Sequence, residues 1–199
     1  DCKFSDVTNP LLFDIDSMSK KIVTGRNGIQ FFDLNNQKLI SDWTTPSTVT
    51  ALALHPGNEN ICVAGLLNGN VNAFDLRMKE KQSIDFGKII SVGVNEPIVK
   101  IIPNRNGADF VYCATSTGKI IEWNASTSTM KIIKSQINSQ LAQFDVHKIL
   151  PLVAIAAVDD SPLICSPNGK VLYKVKNIPP GSVFAFHPIL PIISFGTPN

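Results

Sequence analysis

Short apolar runs and segments of alternating apolar and polar residues recur along the chain, separated by turns. Val49–Leu54 and Ile61–Leu66 are apolar runs, whereas Asn70–Leu76 alternates with the period of two that β-strands show. The residues between them, His55-Pro56-Gly57-Asn58 and Leu67-Asn68-Gly69, are typical of tight turns. We therefore predict antiparallel strands joined by hairpins. Helix should be scarce, because no segment carries a 3.6-residue apolar stripe over three turns.

This strand pattern restarts at regular intervals. An Asn-Gly or Thr-Gly turn precedes an alternating strand that ends in an aromatic residue followed by Asp or Asn, in residues 27–33, 68–75 and 117–124. From Asp33 to Asp75 is 42 positions and from Asp75 to Asn124 is 49, close to the ~40–50 residues of a four-stranded propeller blade. A two-sheet sandwich also has short strands with frequent turns, but its pattern would not restart at this interval. The sequence predicts an all-β fold, a β-propeller.

The predicted blades divide a single domain, residues 1–199, into consecutive repeats. They cover approximately residues 8–45, 46–90, 91–135 and 136–178, and another blade begins within 179–199. Propellers typically have ~4–8 blades. We therefore expect about four complete blades of a larger propeller.

Composition narrows the functional classes. Hydrophobic residues make up 44% and charged residues 17%, which suits a packed core, and the net charge of +2 with scattered Lys and Arg does not favour nucleic acid. No apolar run reaches the ~18 residues needed to enter a bilayer as a helix, and Asp1–Asp6 does not resemble a signal peptide. Cys62, Cys113 and Cys165 lie in apolar runs and are expected to be buried free thiols of an intracellular protein.

The residues that could carry chemistry fall in turns. His55, His147 and His187 each follow the first strand of a different repeat, which places them too far apart to share a zinc ion. Asp159-Asp160 falls in a hairpin turn, where acidic residues are common. The Gly-containing turns do not open a helix, so they are not phosphate-binding loops. We expect no catalytic residues, no metal and no cofactor, and hence no enzyme.

One turn differs from the others. Asp75 ends the third strand of its repeat, and Arg77 follows at the rim of one propeller face. Arg77 either pairs with Asp75 across the turn as a solvated side chain or, with Asp75, forms a contact for a protein partner, since arginine is a common interface anchor. The aromatic and acidic residues that end these strands are expected to occupy equivalent structural positions in their blades: Phe32, Asp33, Phe74, Asp75 and Trp123. Of these, Phe74 and Trp123 are expected to be buried between blades.

These endings give the chain its resemblance to WD repeats. Phe32-Asp33 and Phe74-Asp75 stand at the Trp-Asp positions, and Trp123-Asn124 is a third variant. The turn Asp of that family is replaced by Asn27, Asn68 or Thr117. The polar network between strands is therefore degenerate, and hydrophobic packing is expected to replace it.

Residues 61–78 further resemble a blade of the raptor family, scaffold subunits of the target-of-rapamycin kinase complex. An Ala-Gly-Leu stretch, a turn Gly and an aromatic-Asp-x-Arg-Met ending occur in that order, and the order of the following blades is also similar. Lys148, in place of a Pro after His147, suggests a fungal form. The resemblance implies part of a C-terminal seven-bladed propeller that follows a caspase-like domain and helical repeats.

The same resemblance implies function. It implies a noncatalytic scaffold that recruits substrates to the kinase and supports its nutrient-dependent regulation, with the kinase and other complex subunits as partners. It implies a cytoplasmic protein that reaches the vacuolar or lysosomal membrane through its complex. No substrate-binding residue is carried over, because substrate capture is attributed to the caspase-like domain.

A second hypothesis comes from another class. Phe74-Asp75-Leu76-Arg77 also resembles the WDxR box through which some propellers dock as substrate receptors onto a cullin ubiquitin ligase. Helical repeats upstream of Asp1 would favour the kinase scaffold, and their absence would favour the receptor.

Overall fold

The computed structural model describes residues 12–16, 20–55, 58–78, 96–103, 110–124, 129–133, 137 and 139–197, and their regular structure is entirely β. The strands are β1 (Leu12–Asp16), β2 (Lys21–Gly25), β3 (Gly28–Asp33), β4 (Lys38–Thr44), β5 (Val49–Leu54), β6 (Ile61–Leu66), β7 (Val71–Asp75), β8 (Ile98–Pro103), β9 (Phe110–Thr115), β10 (Ile120–Asn124), β11 (Thr129–Ile133), β12 (Leu141–Val146), β13 (Val153–Ala157), β14 (Leu163–Cys165), β15 (Val171–Lys174), β16 (Val183–Phe186) and β17 (Ile193–Gly196). Within these ranges, no helix is long and apolar enough to cross a membrane.

The chain forms two compact units, residues 1–103 and 104–199. In the first unit, β1 to β4 form a four-stranded antiparallel sheet in chain order, and β5 to β7 form the next sheet. Val71 to Asp75 pair with Gly65 to Ile61, as the Asn-Gly turn predicts. The strand expected at residues 82–86 lies outside the described residues. The predicted all-β fold of successive four-stranded antiparallel sheets, as in propeller blades, is confirmed.

Aromatic side chains fill the space between the two sheets of the first unit. Phe31 and Trp43 of the first sheet and Phe74 of the second belong to one buried core. The ring of Trp43 meets Phe31 edge-on with centroids 5.3 Å apart, and its centroid lies 5.9 Å from that of Phe74. Such pairs add to the free energy gained by burying the rings. The predicted burial of Phe74 between successive sheets is confirmed.

The second unit repeats this plan. β9, β10 and β11 pair in chain order, β12 to β15 form a four-stranded sheet, and β16 pairs with β17, all antiparallel. Trp123 on β10 is 1% exposed, so its burial is confirmed, and its position between two blades stays a prediction. Ala154, Ala156 and Phe184 form a small core between the sheet of β12 to β15 and the pair β16–β17.

Aspartates on the first strands connect one sheet to the next. The Asp14 carboxylate on β1 accepts a hydrogen bond from the Leu54 amide on β5 at 2.9 Å. The Asp145 carboxylate on β12 accepts one from the Phe186 amide on β16 at 2.8 Å. The two bonds join residues 40 and 41 positions apart, about one repeat, so the same link is made in both units. Each amide lies partly buried, where an unpaired polar group would be costly.

The three cysteines in strands are buried free thiols, as predicted. Burial raises the pKa of each thiol, in Cys113 to about 12 from an ordinary 9.0. The thiolate is the reactive form of cysteine, so these groups act as small apolar side chains of the core at neutral pH.

Candidate partner surface

The turn after β7 is built around a carboxylate that bonds to both backbone and side chain. Asp75, the last residue of β7, has a side chain that is 8% exposed, whereas that of Arg77 is 62% exposed. One carboxylate oxygen of Asp75 accepts a hydrogen bond from the Arg77 backbone amide at 2.9 Å, and this bond closes the turn. Both oxygens accept from the guanidinium, at 2.9 and 3.1 Å from Nε and at 2.5 Å from Nη2. This bidentate pairing fixes the plane of the guanidinium.

The pairing also determines the charge state of the turn. The hydrogen bond from Arg77, acting against burial, lowers the pKa of the Asp75 carboxyl, so both groups are charged at neutral pH. The structure thus brings together the two residues predicted to pair. An exposed, oriented guanidinium remains available to a partner carboxylate, and the partner contact itself stays a prediction.

Asp33 is the last residue of β3, as Asp75 is of β7, and a comparison of the two turns shows what is particular to Arg77. Its carboxylate accepts the Asn35 amide at 2.7 Å, which closes the same kind of turn, and the Asn36 side-chain amide at 3.1 Å. The aromatic residues before Asp33 and Asp75, Phe32 and Phe74, are both 1% exposed. The buried aromatic residue and the turn-closing aspartate are therefore structural features common to both strands. Of these two strands, only β7 is followed by an arginine whose guanidinium is held by that aspartate.

His147 and His187 cap turns. Nδ1 of His147 accepts the amides of Ile149 and Leu150 at 3.1 and 2.9 Å, and Nδ1 of His187 accepts the two corresponding amides at 3.2 and 2.9 Å. Nε2 of His147 also lies 2.9 Å from the carbonyl oxygen of Leu190, and the residue is 2% exposed. Throughout the described ranges, no three His, Cys, Asp or Glu side chains are placed to hold a metal ion.

We expect His147→Ala to destabilise the fold more than His187→Ala. Both substitutions remove a turn cap, but only the first empties a buried site and removes the bond to Leu190. A buried polar group left without its partner costs ~1–3 kcal/mol. Urea unfolding of both variants measures the difference, and equal losses of unfolding free energy would contradict the role given to Nε2 of His147.

Comparison with known proteins identifies structures of similar fold and does not identify a function. No family model matches the chain, and no curated protein matches it by sequence. Among solved structures, Raptor from Chaetomium thermophilum superposes with a TM-score of 0.80 at 19% sequence identity, covering 92% of this chain and 17% of that chain. In all, 1411 solved chains match in structure, so the fold by itself selects no single function. The chain is similar in fold to a region of that Raptor.

Proposed function

We propose that this chain is a noncatalytic adaptor module in the scaffold subunit of a target-of-rapamycin kinase complex. Two separate observations support the proposal. The motif order of residues 61–78 and of the later repeats resembles the raptor family, and the fold of nearly the whole chain is similar to part of a solved Raptor. In this role the propeller supports substrate recruitment and nutrient-dependent regulation of the kinase. It acts in the cytoplasm and reaches the vacuolar or lysosomal membrane through its complex.

The observation that carries the proposal most directly is the agreement between these two comparisons. A propeller presents loops and strand ends on rigid sheets, and loops held on rigid scaffolds are where binding residues concentrate. The oriented guanidinium of Arg77 is one such group, one contact among the many that the propeller would make with the kinase or other subunits of the complex.

The cullin-receptor hypothesis depends on the same residue, which makes Arg77 the best point at which to separate the two. A receptor that docks through its WDxR-like box needs the exposed guanidinium. A kinase scaffold contacts its complex through many residues, so removing one arginine at the rim should change kinase binding little. Arg26 in the turn between β2 and β3 is also exposed and serves as the matched control.

The experiment is a pull-down of the intact protein with wild-type, Arg77→Ala or Arg26→Ala sequence, probed for the kinase and for the cullin adaptor. We expect all three forms to recover the kinase in similar amounts. The receptor hypothesis predicts instead that wild type recovers the adaptor and that Arg77→Ala loses it by roughly thirtyfold, as for an interface hot spot. Adaptor recovery without kinase, abolished only by Arg77→Ala, would overturn the proposed function.

A further inference from the structure

A cavity of about 250 Å³ lies beside the connection between β13 and β14. Ile155 and Leu163, which are 1% and 8% exposed, contribute apolar surface to its lining. The rest of the lining consists of Ile137, Ala157 and the hydroxyl and carboxylate groups of Ser139, Asp159, Asp160 and Ser161. Small-molecule sites usually enclose ~300–1,000 Å³, so this volume suits a single long side chain better than a cofactor.

The cavity exists because this hairpin connection is wider than its counterparts. Between the last paired residues, the β13–β14 connection spans residues 156–162, whereas the β6–β7 and β9–β10 connections span 66–70 and 115–119. Gly69 and Gly118, both at φ +85°, close those two shorter turns. The two additional residues widen the connection, and its side chains form the walls of a cavity above the buried Ile155 and Leu163.

Backbone bonds on both sides hold the segment that contributes Ser139. The Leu141 amide donates to the Ser116 carbonyl oxygen at 3.2 Å, and the Val158 amide donates to the Gln140 carbonyl oxygen at 3.0 Å. The Ser139 hydroxyl donates to the Asp159 carboxylate across the cavity mouth. Ser139 and Asp159 are therefore held in place before any partner arrives, which lowers the entropic cost of binding.

Among the described residues, one of the two carboxylates that line the cavity is not paired with a cation. The Asp160 carboxylate is paired with Lys174, at 2.8 and 3.1 Å from its ammonium nitrogen. Asp159 accepts the hydrogen bond from Ser139, and within the part of the chain that the structure describes it forms no ion pair. The equivalent turns carry the neutral Asn68 and Thr117 at this place.

We propose that this cavity binds the side chain of a lysine or arginine presented by a partner protein. The aliphatic stem would lie over Ile155 and Leu163, as long cationic side chains do on apolar surface. The cationic head would meet the Asp159 carboxylate and the hydroxyl oxygens of Ser139 and Ser161. The site gives the proposed adaptor function a partner chemistry, and its biological meaning rests on that function.

The test is a titration of the full chain, followed by amide NMR shifts, with N-acetyl-arginine methylamide, N-acetyl-lysine methylamide and the uncharged N-acetyl-norleucine methylamide. We expect at least one cationic probe to shift the amides of residues 139 and 155–163 with a Kd of about 1 mM, and the uncharged probe to bind at least fivefold more weakly. Raising the salt concentration should weaken cation binding, because the Asp159 carboxylate is exposed.

Asp159→Asn keeps the size of the side chain and removes its charge, so it should weaken cation binding at least fivefold. Asp42→Asn, at an exposed aspartate on β4, is the matched control and should bind like wild type. Equal binding of the norleucine probe, shifts confined to other residues, or unchanged binding in Asp159→Asn would each overturn the proposal. Kinase recovery by the intact Asp159→Asn protein is measured separately, so loss of the cavity site with kinase retained leaves the proposed function standing.

Discussion

Replacing Phe74 with alanine should lower the free energy of unfolding by about 3–5 kcal/mol. The ring is 1% exposed and lies in the core between the first two sheets, beside Trp43. Truncation removes the apolar area that joins one repeat to the next and leaves a cavity that the surrounding strands can fill only in part. The loss should therefore exceed that of a typical point substitution, ~1 kcal/mol.

Urea unfolding followed by far-ultraviolet circular dichroism measures this effect. Phe13→Ala is the matched control, because Phe13 on β1 is 68% exposed and its removal should change stability within ~0.5 kcal/mol. Wild-type stability in Phe74→Ala, or equal losses in the two variants, would refute the placement of Phe74 between the sheets.

Gly65→Ala should destabilise the first unit by about 1–3 kcal/mol or more. A methyl group on Gly65 would overlap Cγ2 of Ile98, and it would lie 2.6 Å from Cβ of Ile98 and 3.1 Å from Cδ1 of Ile101. The absence of a side chain at Gly65 thus allows β8 to lie close to β6. Because Cβ of Ile98 is fixed to the backbone, rotation of that side chain cannot relieve the overlap and the strand itself must shift.

A double-mutant cycle with Ile98→Gly tests the steric explanation. Ile98→Gly removes both Cβ and Cγ2, so Gly65→Ala should cost less in that background than in wild type. Thermal unfolding of the four proteins gives the coupling free energy. The same cost in both backgrounds would show that Ile98 is not what excludes a side chain at position 65.

The strands and hairpins were predictable because their causes are local. The apolar run of residues 61–66, the alternation of residues 70–76 and the Asn68-Gly69 turn between them predicted β6 and β7, and the structure pairs these strands as expected. The pairing of Arg77 with Asp75 was one of two predicted alternatives. It could be predicted because the two residues are only two positions apart. By contrast, the bond from Leu54 to Asp14 spans 40 positions. No local sequence pattern indicates from which distant amide a carboxylate will accept a hydrogen bond.

The cavity beside β13 and β14 was not predictable for a similar reason. Asp159-Asp160 indicated only a turn, because acidic residues are ordinary in turns. What makes the cavity is the early end of the β13–β14 ladder at Ile155 and the approach of Ser139, 20 positions before Asp159. Neither the end of a ladder nor a contact across a sheet is encoded in the residue types of the turn itself.

The most direct test of the scaffold proposal is purification of the intact tagged protein from its own cells at native abundance, with mass-spectrometric quantification of what accompanies it. We expect a large kinase of the phosphatidylinositol-kinase-like family at close to one copy per copy of the tagged protein. Recovery of a cullin adaptor with no such kinase would contradict the scaffold proposal.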